Sequence, residues 1–504
     1  MNIPEDALQA LLRPALAQRD GLTRQRALYV ALRDAILNGT LKAHSLLPGS
    51  RVLAKTLAVS RNTVNAALEQ LAIEGFVQRE RQGTRVSTLA SAPVVGNTSV
   101  VSLAQRVRTL PQGVTRNSPA LAFTPGLPAV NYFPMTTWRR LNERVWRNEG
   151  SALLGYGESG GERRLRAAIA RHLALARGIH CEAEQIVITE GAQDALMLCI
   201  HLLCDPGSRA WVEEPGYNGA KSAFLAAGLH VKGIPVDEEG MTLAALETPP
   251  RIIYTSPSHQ YPLGYVMSAA RRLQILDAAI RAGSWIIEDD YDSEFRYLGD
   301  PVPAMLGMTP DPPVVYLGTF SKTLFPSLRI GFMVMPPALA HAAAPVINSL
   351  LRGGHRSEQL TLAHFIEDGH YARHLAAMRR LYRKRQVQLR EALQTALSIE
   401  HRVLGGDGGL HLTLSVPGIN DLDVVREARA FGLAPHALSR FYLQPTAASS
   451  GLVLGYGNTS ASLFPGSVRT LARLITQCKV GRVDSPAPLS SGFTRNWRSL
   501  PPRR

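Results

Sequence analysis

Val314-Val315-Tyr316-Leu317-Gly318-Thr319-Phe320-Ser321-Lys322 is the stretch on which the fold reading turns. An apolar run closed by glycine and hydroxyl residues reads as a buried strand entering a turn. A lysine at the carboxyl end of such a strand stands where open α/β sheets bind ligands, and burial lowers its pKa towards a usable amine. Schiff-base chemistry needs that amine. Thr319, Ser321 and Arg329, in Arg329-Ile330-Gly331, are suitable donors for a phosphate dianion. Outward from this stretch the same pattern recurs. Ser284-Trp285-Ile286-Ile287 runs into Glu288-Asp289-Asp290-Tyr291-Asp292, an acidic cluster that burial penalises unless it meets cations or a metal. The cluster has no histidine at metal spacing, so no metal is expected. Ile186 to Thr189 leads into Glu190-Gly191-Ala192-Gln193, a glycine turn opening a helix whose free N–H groups can cradle phosphate. With Arg251 to Tyr254 added, strands alternating with helical stretches predict an α/β domain with a mostly parallel sheet over 120–477.

The chain has 504 residues, more than one hydrophobic core supports, so two or three domains are expected. Hydrophobic residues at 45% exclude global disorder. The most apolar short run, Leu196 to Cys204, is far below the roughly 20 residues that span a bilayer, and Glu5 and Asp6 fall where a signal peptide needs an apolar stretch. A cytoplasmic protein is expected. Cys181, Cys199, Cys204 and Cys478 form no metal or disulfide pattern and read as reduced thiols. Lys plus Arg exceed Asp plus Glu by 55 to 40, a net +15 that favours a polyanionic partner. Residues 89–119, rich in Ser, Ala, Val, Thr, Pro and Gly, read as a linker, and 478–504 as a disordered basic tail.

Residues 20–88 form a smaller module. Leu28, Ala31, Leu32, Ala35 and Ile36 line one face of a helix over Arg24 to Leu37, and Gly39 stops it. A short helix follows Ser50, Ala58 and Val59 make a turn, and Ser60 is placed as N-cap of a third helix with Val64, Ala67, Leu68 and Leu71 inward. That is helix, turn, helix, with Arg61, Asn62 and Thr63 at the end that reaches base edges in the major groove. Phe76 to Gln78 and Arg85 to Ser87 pair as a wing around Gly83. Leu47-Pro48-Gly49-Ser50-Arg51, Val59-Ser60-Arg61-Asn62-Thr63-Val64, Leu71-Ala72-Ile73-Glu74-Gly75-Phe76 and Gln82-Gly83-Thr84 together resemble the winged helix-turn-helix of the GntR family. The resemblance implies that Arg51, Ser60, Arg61, Asn62, Thr63 and Gly83 contact operator DNA.

The larger domain resembles fold-type I aminotransferases. The likeness rests on Gly155-Tyr156-Gly157, Thr189 to Gln193, Glu214-Pro215-Gly216-Tyr217, Ser256-Pro257-Ser258-His259-Gln260 with Pro262 and Gly264, Glu288 to Phe295, and Thr319 to Gly331. Fused to the winged module, the chain resembles the MocR subfamily of GntR regulators. The resemblance implies pyridoxal 5'-phosphate as cofactor, with Lys322 forming the internal aldimine and Asp289, or failing it Asp290, facing the pyridine nitrogen. It further implies Tyr291 near the ring oxygen, Tyr217 stacked on the ring, Gly191, Ala192, Gln193, Thr319, Ser321 and Arg329 around phosphate, and Tyr156 reaching the phosphate of the other subunit. Shared sites of that kind imply a homodimer. Arg440 corresponds to the arginine that grips an amino-acid effector's carboxylate. Members that sense gamma-aminobutyrate carry an arginine two residues after the stacking tyrosine, whereas Gly219 stands there in this chain. The expected function is transcription regulation, with the aminotransferase-like domain as sensor of the cofactor or of an amine, and control of vitamin B6 or amino-acid genes. The alternative is a working aminotransferase that carries a DNA-binding domain.

Overall fold

The computed structural model describes residues 5–17, 21–89, 103–108, 110, 121–243, 249–299 and 302–478. The chain divides into two compact units, 1–102 and 103–504. Most of the expected linker and all of the tail beyond Cys478 lie outside the described residues; within the linker, Gln105–Arg108 forms one helical turn.

In the first unit the helix Arg24–Leu37 starts on Thr23, whose hydroxyl accepts from the Arg26 N–H, and ends at Asn38 before Gly39, with φ +78°. Ser50–Thr56 and Arg61–Ile73 follow, joined through Ala58 at φ +52°. Ser60 caps the latter helix by accepting from the Thr63 N–H at 3.1 Å. Val64, Ala67, Leu68 and Leu71 turn inward onto Leu28, Leu32 and Ile36. The wing strands are Val77–Glu80 and Gly83–Val86, and a two-residue strand, Leu46–Leu47, adds to the outer side of the second, giving three strands where sequence showed two. A further difference lies upstream. A helix Glu5–Ala17 precedes the expected boundary at residue 20, and its Leu8 and Leu12 are fully buried in the same core.

The second unit is built on an eight-stranded sheet. Its order is Ile186–Thr189, Gly331–Val334, Val314–Thr319, Trp285–Asp290, Ile252–Thr255, Arg209–Glu214, His230–Asp237 and Gly240–Met241, with parallel pairing throughout the centre. Gly331–Val334 runs antiparallel to both neighbours. The central strands are buried on both faces, which is why they read as continuous apolar runs. Val315 and Leu317 join a core with the helix Ala192–Leu203, while Tyr316 joins the opposite one. Sequence reading did not separate the C-terminal part, a four-stranded antiparallel sheet of Arg402–Leu404, His411–Ser415, Gly451–Gly455 and His436–Ala437. Among the described residues no helix is long and apolar enough to cross a membrane.

Candidate functional site

The parallel strands deliver their carboxyl ends to one edge of the sheet, and the chemistry-bearing residues collect there. Val314–Thr319 ends in a turn that carries Lys322, half-buried, whose Nζ donates to the Gly126 carbonyl at 2.8 Å. Gly126 has φ +74°, and a Cβ on it would stand 2.8 Å from that Nζ, so the lysine occupies space that only glycine leaves. Thr319 Oγ1 accepts from the Ser321 N–H at 3.2 Å. Gly191, at φ +95°, caps the helix Ala192–Leu203 and presents its first N–H groups. Arg329 is an exposed non-glycine residue in the left-handed region, φ +50°, and its guanidinium donates to the Glu190 carbonyl over Gly191. A Cβ on Gly191 would come within 3.0 Å of that guanidinium. Gln193 donates to the Gly219 carbonyl at 3.1 Å. Backbone strain at Arg329 is of the kind that surrounding structure holds at ligand clamps.

Strand Trp285–Asp290 places two buried aspartates side by side in very different company. Asp290 is paired with Arg177 Nε at 2.8 Å and accepts from the Tyr316 hydroxyl at 2.7 Å and from Ser293 Oγ at 2.7 Å. Asp289 accepts only from the Tyr254 hydroxyl, at 2.5 Å to Oδ2, and its buried Oδ1 has no hydrogen-bond partner among the described residues. Burial pushes the Asp289 carboxyl up to about 7, against the Tyr254 bond, which lowers it. An orphaned carboxylate oxygen beside a lysine and an open helix N-terminus is complementary to a cationic ring N–H on a ligand that also carries a phosphate.

The neighbours of the acidic cluster were not placed by sequence reasoning. The acidic cluster does have histidines: His259 Nδ1 stands 3.0 Å from Asp292 Oδ1, and His411 packs on His259 with ring centroids 5.0 Å apart. One donor atom from each of the three lies within 4.8 Å of the others, all buried. The expectation of an acidic cluster without histidines is thereby corrected; they arrive from segments far apart in the chain. His411 Nε2–H donates to the Pro262 carbonyl at 2.9 Å, and burial, then His259, pushes its pKa down to about 3. The Tyr291 hydroxyl is 3.0 Å from the same His259 Nδ1.

Tyr217 begins the helix Asn218–Ala226, edge-on to Tyr261. A Cβ on Gly219 would lie 2.4 Å from the Tyr217 ring, so in this arrangement the ring fills the space a side chain at 219 would need. Arg440 is exposed, and its segment is fastened to the Tyr217 segment: Asn218 donates to the Arg440 carbonyl at 2.9 Å, the Gly216 N–H to the Phe441 carbonyl at 3.0 Å, and buried Lys221 to the Phe441 carbonyl at 2.5 Å and to Glu214 at 2.8 Å. Tyr156 is 90% exposed. Arg356 pairs with Glu162 at 2.6 Å and bonds the Ala152 carbonyl, buttressing Gly157 beside Tyr156.

In the winged module Arg51, Arg61 and Asn62 are exposed, and Arg61 Nε reaches Ser50 Oγ at 3.4 Å. Arg79 of the wing donates to the Asn65 carbonyl at 3.0 Å, which ties wing to recognition helix. Gly83 has φ +135° and packs against Leu46.

A winged helix-turn-helix unit and an aminotransferase-type unit with a lysine at its sheet edge define a class of fused regulators, and comparison with known proteins agrees. Residues 24–86 match the family described as bacterial regulatory proteins, gntR family, and 128–430 match aminotransferase class I and II. "Probable rhizopine catabolism regulatory protein MocR" of Rhizobium meliloti is 40% identical over 464 residues, 88% of this chain and 92% of the relative. "HTH-type pyridoxine biosynthesis transcriptional regulator PdxR" of Corynebacterium glutamicum is 32% identical, covering 85% and 90%. Among solved structures, the alpha-aminoadipate aminotransferase LysN of Thermus thermophilus, complexed with N-(5'-phosphopyridoxyl)-L-leucine, has 27% identity and a TM-score of 0.66 over 74% of this chain and 95% of that one. The chain belongs to the MocR-type GntR regulators, DNA-binding proteins fused to a class I and II aminotransferase domain.

Proposed function

We propose that this protein is a pyridoxal phosphate-dependent transcription regulator in which a small amine or amino acid, taken up at the cofactor site, alters the grip of the winged module on operator DNA. The observation that carries the reading is the unpartnered Oδ1 of Asp289, buried at the strand end within the same site as Lys322 and the Gly191 helix terminus. When bound, the cofactor supplies an aldehyde for an amine and a protonated pyridine ring that serves as electron sink. Lys322 is the amine for that aldehyde. Asp289 accepts the pyridine N–H, with Tyr254 orienting the carboxylate from behind; Asp290, already held by Arg177 and Tyr316, is the poorer candidate. Gly191, Ala192, Gln193, Thr319, Ser321 and Arg329 hold the phosphate by N–H, hydroxyl and guanidinium donors. Tyr291 faces the ring oxygen, Tyr217 covers the ring, and Arg440 takes the effector carboxylate in its fork.

The exposure of Tyr156 supports a homodimer in which it completes the partner's phosphate site. The ring over Gly219 supports an effector other than gamma-aminobutyrate. Vitamin B6 or amino-acid genes are the expected targets, as the name of the Corynebacterium relative suggests, and the cytoplasm the expected place of action. Purified protein supplied with pyridoxal phosphate should gain visible absorbance, and borohydride should fix the label on Lys322. Candidate amines should then shift that absorbance and DNA affinity together. Protein that stays colourless, with no adduct on Lys322, contradicts the reading.

A further inference from the structure

The helix His370–Ala396 is 27 residues long and carries five exposed cations, Arg373, Arg379, Arg380, Arg383 and Lys384, with no acidic residue before Glu391. At 1.5 Å and about 100° per residue, Arg373, Arg380 and Lys384 fall within about 40° of one another over about 16 Å, with Arg379 and Arg383 flanking them about 100° round the helix, so two short rows of cations are open to phosphates. Among the described residues none of the five has a carboxylate in ion-pairing distance. Arg379 donates to the Glu294 carbonyl at 2.8 Å and Arg373 to the Asp368 carbonyl at 3.0 Å, so both keep their charge. Acids on neighbouring segments are engaged elsewhere: Asp368 with Arg144 at 3.1 Å, Glu367 with Arg164 at 2.8 Å and Arg171 at 2.9 Å, and Glu294 with His172 at 2.5 Å.

Like charges spaced three and four apart repel along a helix and are relieved by an external polyanion. We propose that this basic face of the aminotransferase-type domain is a second DNA-contacting surface, binding phosphates beyond the base pairs read by the winged module. The chain already engages one polyanion through its GntR-type module, and a phosphate track asks only for a row of unneutralised cations. The contact carries no base specificity and adds affinity that falls with salt.

The test uses full-length, cofactor-loaded protein and long mixed-sequence duplex DNA, with binding measured across a salt series. The triple variant Arg380→Ala, Arg383→Ala, Lys384→Ala should lower the slope of log affinity against log salt by about 0.9 for each phosphate no longer neutralised. A control triple, Arg209→Ala, Arg281→Ala, Arg402→Ala, removes equal charge from exposed positions elsewhere and should leave the slope near that of the parent. Unchanged slope in the first triple, or an equal fall in both, overturns the proposal. So does loss of binding to polyglutamate with DNA binding intact, which assigns the face to an acidic protein. If the triple fails to keep the parent's cofactor absorbance and melting temperature, the single Lys384→Gln variant, with an expected slope change of about 0.9, decides the matter.

Discussion

Asp289 is where the chemistry narrows to one atom. Raised to about 7 by burial, its carboxyl is protonated in the folded apo-protein at pH 5 and ionised at pH 8, whereas in the unfolded chain it is ionised at both. Folding therefore loses stability from this group as pH rises from about 4 to 7. Asp289→Asn should stabilise the cofactor-free protein at pH 8, by up to about 4 kcal/mol, with the gain shrinking towards pH 5. The same variant should bind pyridoxal phosphate weakly. Thermal melts of apo-protein at the two pH values, alongside cofactor titration, check both halves; a parent and variant that melt alike at pH 8 contradict the assignment. The resemblance put Asp289 ahead of Asp290, but the physical reason for that order lies in Arg177, Tyr316 and Tyr254, whose positions relative to the strand come only from tertiary packing. His259 and His411 escaped for the same reason.

At the scale of elements, sequence reading went furthest where a local rule is strict. The helix Arg24–Leu37, the Ser60 cap and the strand entering Gly318 follow from periodicity, capping and a two-faced apolar run. The wing was displaced by a residue or two, and the small antiparallel sheet went unseparated, since its pairing is set by partners distant in the chain. Ser60→Ala should cost about 1 kcal/mol of the winged unit's stability, read by chemical denaturation. Arg61→Ala should weaken operator binding with the cofactor spectrum intact; equal DNA affinity in variant and parent removes that residue from the interface. Gly191→Ala forces a side chain into φ +95° and against Arg329, and should lower cofactor affinity at least ten-fold, with equilibrium dialysis as the measure.

For the whole molecule, regulation requires the amine site and the DNA site to be linked by a coupling free energy, about 1 to 3 kcal/mol for 5- to 150-fold control. Asn218, Gly216 and Lys221 fasten the Arg440 segment to the Tyr217 segment. If the proposed homodimer shares its phosphate sites, Tyr156→Phe should loosen the cofactor without changing the sedimentation of the protein, a split that sedimentation and absorbance together resolve. The most direct measurement is DNA affinity followed during titration of an amine into pyridoxal phosphate-loaded protein, beside the Lys322→Ala variant. Parent protein should change its affinity several-fold in step with the visible spectrum, and the variant should do neither. A variant that responds to the amine as the parent does would contradict the central claim that Lys322 chemistry governs DNA binding.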